Sequence, residues 1–171
     1  VEVYSLPLRH RVPCCGFLFR EKAPLPHIRR DMIDYLEIPY YAINSIKQGA
    51  DWTTPEGRVV PNAELVFPAE RGRSYAYCSD TCYQPQLIPL IRGVDVLYHE
   101  ATFGNDNLSR ALETLHSTAE QAAKIAKAAN VGRLVIGHFS SRYDDEQVLL
   151  DEAQQVFKNT QLAKEGLLIH V

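Results

Sequence analysis

The sequence predicts an α/β fold in which a sheet is layered with helices. Two observations carry that prediction. From Ser74 onward, apolar runs of strand length alternate with amphipathic helical patterns over nearly a hundred residues, the arrangement that builds such layers. The length of 171 residues and the hydrophobic fraction of 46% suit one globular core.

Taken in order, "VEVYSLPLRHRV" and "CCGFLFREK" read as the arms of a hairpin over residues 1–22, rich in Val, Tyr, Leu and Phe with a turn near Pro13. Residues 23–72 change character. They are rich in proline, charge and aromatics, with short helices expected near 28–36 and 40–48 and a hairpin turn at "TPEGR". This stretch reads as an excursion from the core layers. "SYAYCSD" is then a strand, "YQPQLIPLIRG" a short helix closing at Gly93, and "VDVLYHEATF" a second strand. "STAEQAAKIAKAAN" is a helix opened by a Ser117-x-x-Glu120 capping box, with Ala119, Ala122, Ala123, Ile125 and Ala126 on one face. "RLVIGHF" is a strand. "DDEQVLLDEAQQVF" is a helix with acidic residues in its first turn, suiting the helix dipole. "GLLIHV" is expected as a last strand.

The net charge of −3 excludes a bulk polycation, so any nucleic-acid contact must use a local patch. No apolar run reaches the roughly 18 residues of a membrane span. The four cysteines, Cys14, Cys15, Cys78 and Cys82, have no zinc-knuckle spacing and read as reduced thiols of a cytoplasmic protein. The first residue is Val1, which leads us to expect a processed chain or part of a longer one.

Strand and helix ends share one cargo. "YAYCSDT" ends on Asp80, "VDVLYHEAT" on His99 and Glu100, "RLVIGHF" on His138, and His116 stands just before a helix start. In α/β sheets, ligands gather beyond the carboxyl ends of strands. A carboxylate and imidazoles converging there match the ligand chemistry of Zn²⁺ or a similar metal. His27 and His170 read as surface or packing histidines.

The stretches "PLRHRVPCCGFLFREK", "YCSDT", "LYHEATF" and "HSTAEQAAKIAKAANVGRLVIGHFSSRY" together resemble the ribonuclease Z family, the tRNA 3′-processing endonucleases of the metallo-β-lactamase superfamily. The resemblance runs in order along the whole chain. It implies the C-terminal portion of a metallo-β-lactamase αββα sandwich, a single partial domain over 1–171 with a protruding arm at 23–66. It implies two Zn²⁺ per complete subunit, with Mn²⁺ or Fe²⁺ as chemical alternatives. Asp80 matches the carboxylate shared by the two ions, His138 a ligand of one and His10 a ligand of the other. His116 matches the leaving-group acid and Glu100 the carboxylate that orients it. Arg142 matches an arginine able to meet the scissile phosphate. In the arm, Arg29, Arg30, Lys47 and Arg58 are candidate phosphate contacts, and Tyr40 and Tyr41 candidate stacking rings. Precursor tRNA and a second subunit are the implied partners.

Two features depart from the family pattern. The H-x-H-x-D-H run that supplies most metal ligands is absent, so this chain alone is expected to hold zinc poorly and not to cleave RNA. The arm reads "EIPYYAINSIKQG", with Pro39 but without the family's Gly-Pro pair. Two competing readings remain: a hydrolase of the same fold acting on another phosphodiester or ester, and a non-catalytic module.

Overall fold

The computed structural model describes residues 1–171 as two compact units, Val1–Glu21 with Arg73–Val171, and Lys22–Gly72. In the first unit, β1 (Glu2–Pro7) and β2 (Cys15–Arg20) form the expected antiparallel hairpin, with Pro7 opposite Cys15. The second unit contains β3 (His27–Ile28), α1 (Arg30–Tyr35), α2 (Tyr40–Lys47), β4 (Trp52–Thr53), β5 (Val59–Val60), α3 (Asn62–Leu65) and β6 (Val66–Phe67). Its strands pair as β3 with β6 and β4 with β5, the latter around the anticipated turn. Ile38, Ala42, Ile46, Val60 and Leu65 are buried together, giving this unit a core of its own.

The first unit resumes with β7 (Ser74–Cys78), β8 (Val96–Glu100), α4 (Leu108–Thr114), α5 (Ala119–Ala128), β9 (Arg133–Gly137), α6 (Gln147–Val156) and β10 (Thr160–Leu162). Its six-stranded sheet runs β1-β2-β7-β8-β9-β10. The pairs β1–β2 and β2–β7 are antiparallel, whereas β7, β8, β9 and β10 are parallel. The parallel strands therefore deliver their carboxyl ends to one edge. On one face, Ala76, Leu97, Leu134 and Ile136 join Ala119, Ala122, Ala123, Ile125 and Ala126 of α5 and Leu149 and Ala153 of α6 in a buried cluster. The alanines bring α5 close to the sheet, while each fully buried Leu or Ile contributes roughly 1.5–3 kcal/mol of transfer free energy.

Four local expectations are corrected. The cap of α5 is Thr118, not Ser117: Thr118 Oγ1 accepts from Gln121 N–H, and Gln121 reaches back to Thr118 N–H. Ser117 is drawn off by donating its hydroxyl to Thr81 O at 2.7 Å, and Glu120 by pairing with Lys124 at 2.5 Å. "GLLIHV" is not a strand. The ladder beside β9 ends where Ala163 N–H donates to Ile136 O, and a turn at Lys164–Leu167 then leads the chain away. Pro85–Leu87 is a single 3₁₀ turn in place of a full helix, and α6 starts at Gln147, after rather than across its acidic residues. No helix of the chain is long and apolar enough to cross a membrane.

Gly137 ends β9 for a steric reason. A Cβ there would lie 2.4 Å from Tyr98 Oη and 3.0 Å from two carbons of its ring. Tyr98 is itself stacked on Tyr77, with ring centroids 4.8 Å apart. Gly137→Ala is expected to cost about 1–3 kcal/mol in chemical denaturation, and Tyr98→Phe in the same chain to return part of it by removing the closest atom.

Candidate metal centre

Asp80 follows β7 and His138 follows β9, at the carboxyl edge of the parallel strands. Both adopt left-handed backbone, with φ of +58° and +60°, a conformation uncommon outside glycine but entered more readily by Asp and His than by most residues. Asp80 is steadied by Cys14, whose thiol donates to Asp80 O at 3.1 Å. Burial, first, and the Asp80 and Glu100 charges beyond it push the Cys14 thiol pKa up, keeping the proton that makes this bond.

The side chains converge. Ligand atoms of Asp80, Glu100, His116 and His138 all lie within 4.8 Å of one another. His138 Nε2 stands 3.5 Å from Asp80 Oδ1. Its Nδ1 lies 3.1 Å from Thr102 Oγ1. Because that hydroxyl spends its proton on Glu100 Oε2 at 2.6 Å, its oxygen accepts from His138 Nδ1–H. His138 thus turns Nε2 toward Asp80 with a lone pair free. His10, in the bend between β1 and β2, donates Nδ1–H to Leu115 O at 3.0 Å and lies beside His116, ring centroids 4.8 Å apart. In both histidines the second nitrogen is fixed by an outer partner, the usual condition of an imidazole ligand.

Glu100 stands with these groups in space yet differs in role. It is fully buried and accepts from Thr81 N–H at 2.5 Å, Thr102 Oγ1 at 2.6 Å, and Ser117 N–H and His116 Nδ1–H at 3.0 Å each. These bonds engage both of its oxygens, His116 Nδ1–H among the donors. Burial pushes the Glu100 carboxyl pKa up, but the bonds from His116, Thr102 and Ser117 outweigh it and leave the pKa below the ordinary range. His116 is raised by its bond to Glu100, against the opposing effect of burial. His99, the neighbour on β8, faces the opposite side of the strand. It is fully buried, donates Nδ1–H to Glu100 O at 2.8 Å, and is pushed toward neutrality by burial.

The coupled pair gives a pH signature. The Glu100 contribution to stability is complete above its ordinary pKa of 4.5 and disappears as pH falls through its lower folded value. The His116 contribution is complete below 6.5 and disappears as pH rises through its higher folded value. Denaturant titrations of the metal-free protein are expected to show this pair at full strength between pH 4.5 and 6.5, with His116→Gln removing the loss on the alkaline side.

Arg142 lines a cleft together with His10 and His116. Arg11, Thr102, Phe103, Arg110 and Ser140 share this lining without having been singled out in the sequence. Thr102 lay in plain view inside H-E-A-T, and Arg11 directly after His10. Arg29, Arg30 and Lys47 belong to the second unit. Arg29 is ion-paired to Asp31 at 2.7 Å, while Tyr40 and Tyr41 are 90% and 81% exposed.

The beta-lactamase superfamily domain matches residues 46–139, more than half of the chain. The chain belongs to that superfamily. Two solved structures share the fold. The metallo-beta-lactamase fold protein YhfI from Bacillus subtilis has a TM-score of 0.61 and 20% identity, over 96% of this chain and 48% of that one. Human tRNase Z, short form, has a TM-score of 0.53 and 23% identity, over 98% and 42%. Among curated superfamily proteins, the ribonuclease Z of Phocaeicola vulgatus is 56% identical over 171 residues, all of this chain and 55% of that protein. The ribonuclease Z of Bacteroides fragilis is 56% identical over 169 residues, 99% of this chain and 56% of that protein. The chain spans about half the length of the curated relatives it matches. The donors around Asp80 fit the metal that the superfamily's fold name implies. A carboxylate oxygen and an imidazole nitrogen face each other across 3.5 Å, with the imidazole oriented from behind.

Proposed function

We propose that this chain carries part of the reaction centre of a metal-dependent endoribonuclease that removes the 3′ trailer from precursor tRNA. The observation that carries the reading is His116. Its Nδ1–H is held by the buried Glu100 carboxylate while its ring borders the cationic cleft. That arrangement orients the ring, raises its proton affinity and offers the Nε2 proton to a leaving oxygen. The 56% identity to proteins named Ribonuclease Z supplies the substrate class.

Asp80, His138 and His10 would hold the metal, with Asp80 shared between two Zn²⁺ and His10 and His138 on separate ions. Bound there, the ions neutralise phosphate charge and lower the pKa of a water molecule. Arg142 meets the reacting phosphate. Three donors fall short of two closed coordination shells, so the 171-residue chain alone is expected to bind zinc weakly and to leave RNA uncut. In the complete enzyme the Lys22–Gly72 unit grips tRNA through Arg29, Arg30 and Lys47. The enzyme works in the cytoplasm as a homodimer.

The test is trailer removal. The full-length protein loaded with zinc should release the 3′ trailer from precursor tRNA, and Asp80→Asn should abolish both the cleavage and one equivalent of bound metal. A loaded wild-type protein that leaves precursor tRNA intact overturns the reading. Tight two-metal binding by the 171-residue chain overturns the division of ligands.

A further inference from the structure

The cleft beside His116 has a volume of about 270 Å³ and draws its charge from three guanidinium groups, Arg11, Arg110 and Arg142, with no carboxylate in its lining. They come from three separate segments: the bend after β1, helix α4 and the turn after β9. Each segment is tied down close to His116. His10 donates to Leu115 O at 3.0 Å, fixing the Arg11 bend against the end of α4. His116 N–H donates to Ala111 O at 2.9 Å, fixing the other side of that junction. Ser140 N–H donates to Thr102 O at 3.0 Å, fixing the Arg142 turn. The Tyr143 hydroxyl accepts from Gly104 N–H at 2.8 Å and donates to Asp106 Oδ1 at 2.9 Å, so the turn that bears Arg142 also holds the segment leading into α4.

Three like charges held on braced backbone around one cleft repel one another, and an anion is what relieves them. Arg110 has one carboxylate partner, Glu113, at 3.1 Å, and both side chains are more than half exposed. Such surface pairs are worth about 0–1 kcal/mol, whereas a guanidinium binds phosphate bidentately with a charge-assisted bond. Phe103 is the aromatic carbocycle of the lining and is 5% exposed, leaving no open ring of that kind for a base to stack on. The three guanidinium groups suit the cleft to backbone charge, which carries no sequence information.

We propose that Arg11 and Arg110 form a second phosphate subsite, which holds the RNA backbone phosphate adjacent to the one that reacts. Arg142, on the same cleft, is left to the reacting phosphate. The assignment rests on the endonuclease reading and adds to it a specificity device: the enzyme counts a charged linkage beside the cut without reading its sequence.

The experiment is a charge-deletion scan by fluorescence anisotropy. The full-length metal-loaded protein carries His116→Gln so that no strand is cut. Single-stranded RNA pentamers have one linkage at a time replaced by an uncharged methylphosphonate. One neighbouring linkage is expected to be worth about tenfold or more in affinity. Arg110→Gln and Arg11→Gln should each lower the salt-dependence slope by about 0.7, and in either variant neutralising that same linkage should cost almost nothing further. Arg110→Lys, which keeps the charge but loses the fork, should fall in between. A flat scan outside the reacting linkage, or losses that simply add between variant and methylphosphonate, overturns the subsite. Non-additive losses in a protein whose His116 form fails to cut precursor tRNA would keep the subsite and remove the endonuclease reading. Efficient cutting with a flat scan would do the reverse.

Discussion

Glu100→Leu is expected to lower the unfolding free energy by about 4 kcal/mol or more in denaturant titration. The carboxylate is the common acceptor for four donors: two backbone N–H groups, a hydroxyl and an imidazole. Leaving a buried donor without a partner costs about 1–3 kcal/mol each, and Thr81, Ser117 and Thr102 are all buried. Glu100→Gln tests the same point with little change in volume. Its carbonyl can accept two of the bonds, but its amide presents N–H to groups that are themselves donors. It should therefore recover only part of the loss. A Glu100→Leu protein within about 1 kcal/mol of wild type would show that the network contributes little and that His116 is held by something else.

His116→Ala in the full-length protein is expected to slow trailer removal by about 10²–10⁴-fold, the usual worth of a positioned proton donor, while metal content and KM change little. Metal content separates the two roles open to this imidazole, since His116 also lies within ligand distance of Asp80 and His138. If the variant loses activity together with a metal equivalent, His116 is a ligand. If it loses activity and keeps the metal, it is the acid. The pH profile adds a second check. Glu100 holds His116 protonated above its ordinary value, so the wild-type rate should fall on the alkaline side at a pH above 6.5. His116→Ala should lack that limb.

Much of this centre could be read from the order of residues because strand tips are simple to locate. An apolar run that halts at a polar residue marks a carboxyl edge. Asp80, Glu100 and His138 each follow such a run, and the parallel pairing of β7, β8 and β9 brings the three edges together. What escaped depends on competition between neighbours. "HSTAEQ" contains two overlapping capping patterns, and only the demands of Thr81 and Glu100 on Ser117 choose Thr118. Helix α4 is seven residues long with one buried side chain, Ala111, too little amphipathic signal to stand out. Arg110 rides on that helix and was missed with it. "GLLIHV" has the composition of a strand, but pairing needs a neighbour, and the turn before it removes the chain from β9. Nor does the sequence show why glycine stands at 137: the space a side chain would need is filled by Tyr98.

The chain leaves the six-stranded unit at Glu21 and returns at Arg73, and these two residues are bonded to each other. Glu21 N–H donates to Arg73 O at 2.8 Å, and the Arg73 guanidinium grips both Glu21 oxygens. Everything from Lys22 to Gly72 is thus a cassette spliced into a closed seam. Doubling the length of such an excursion costs only about 0.6 kcal/mol of closure entropy. An insertion that leaves and re-enters through one bonded seam can therefore vary in length at small entropic cost to the strands that present Asp80 and His138.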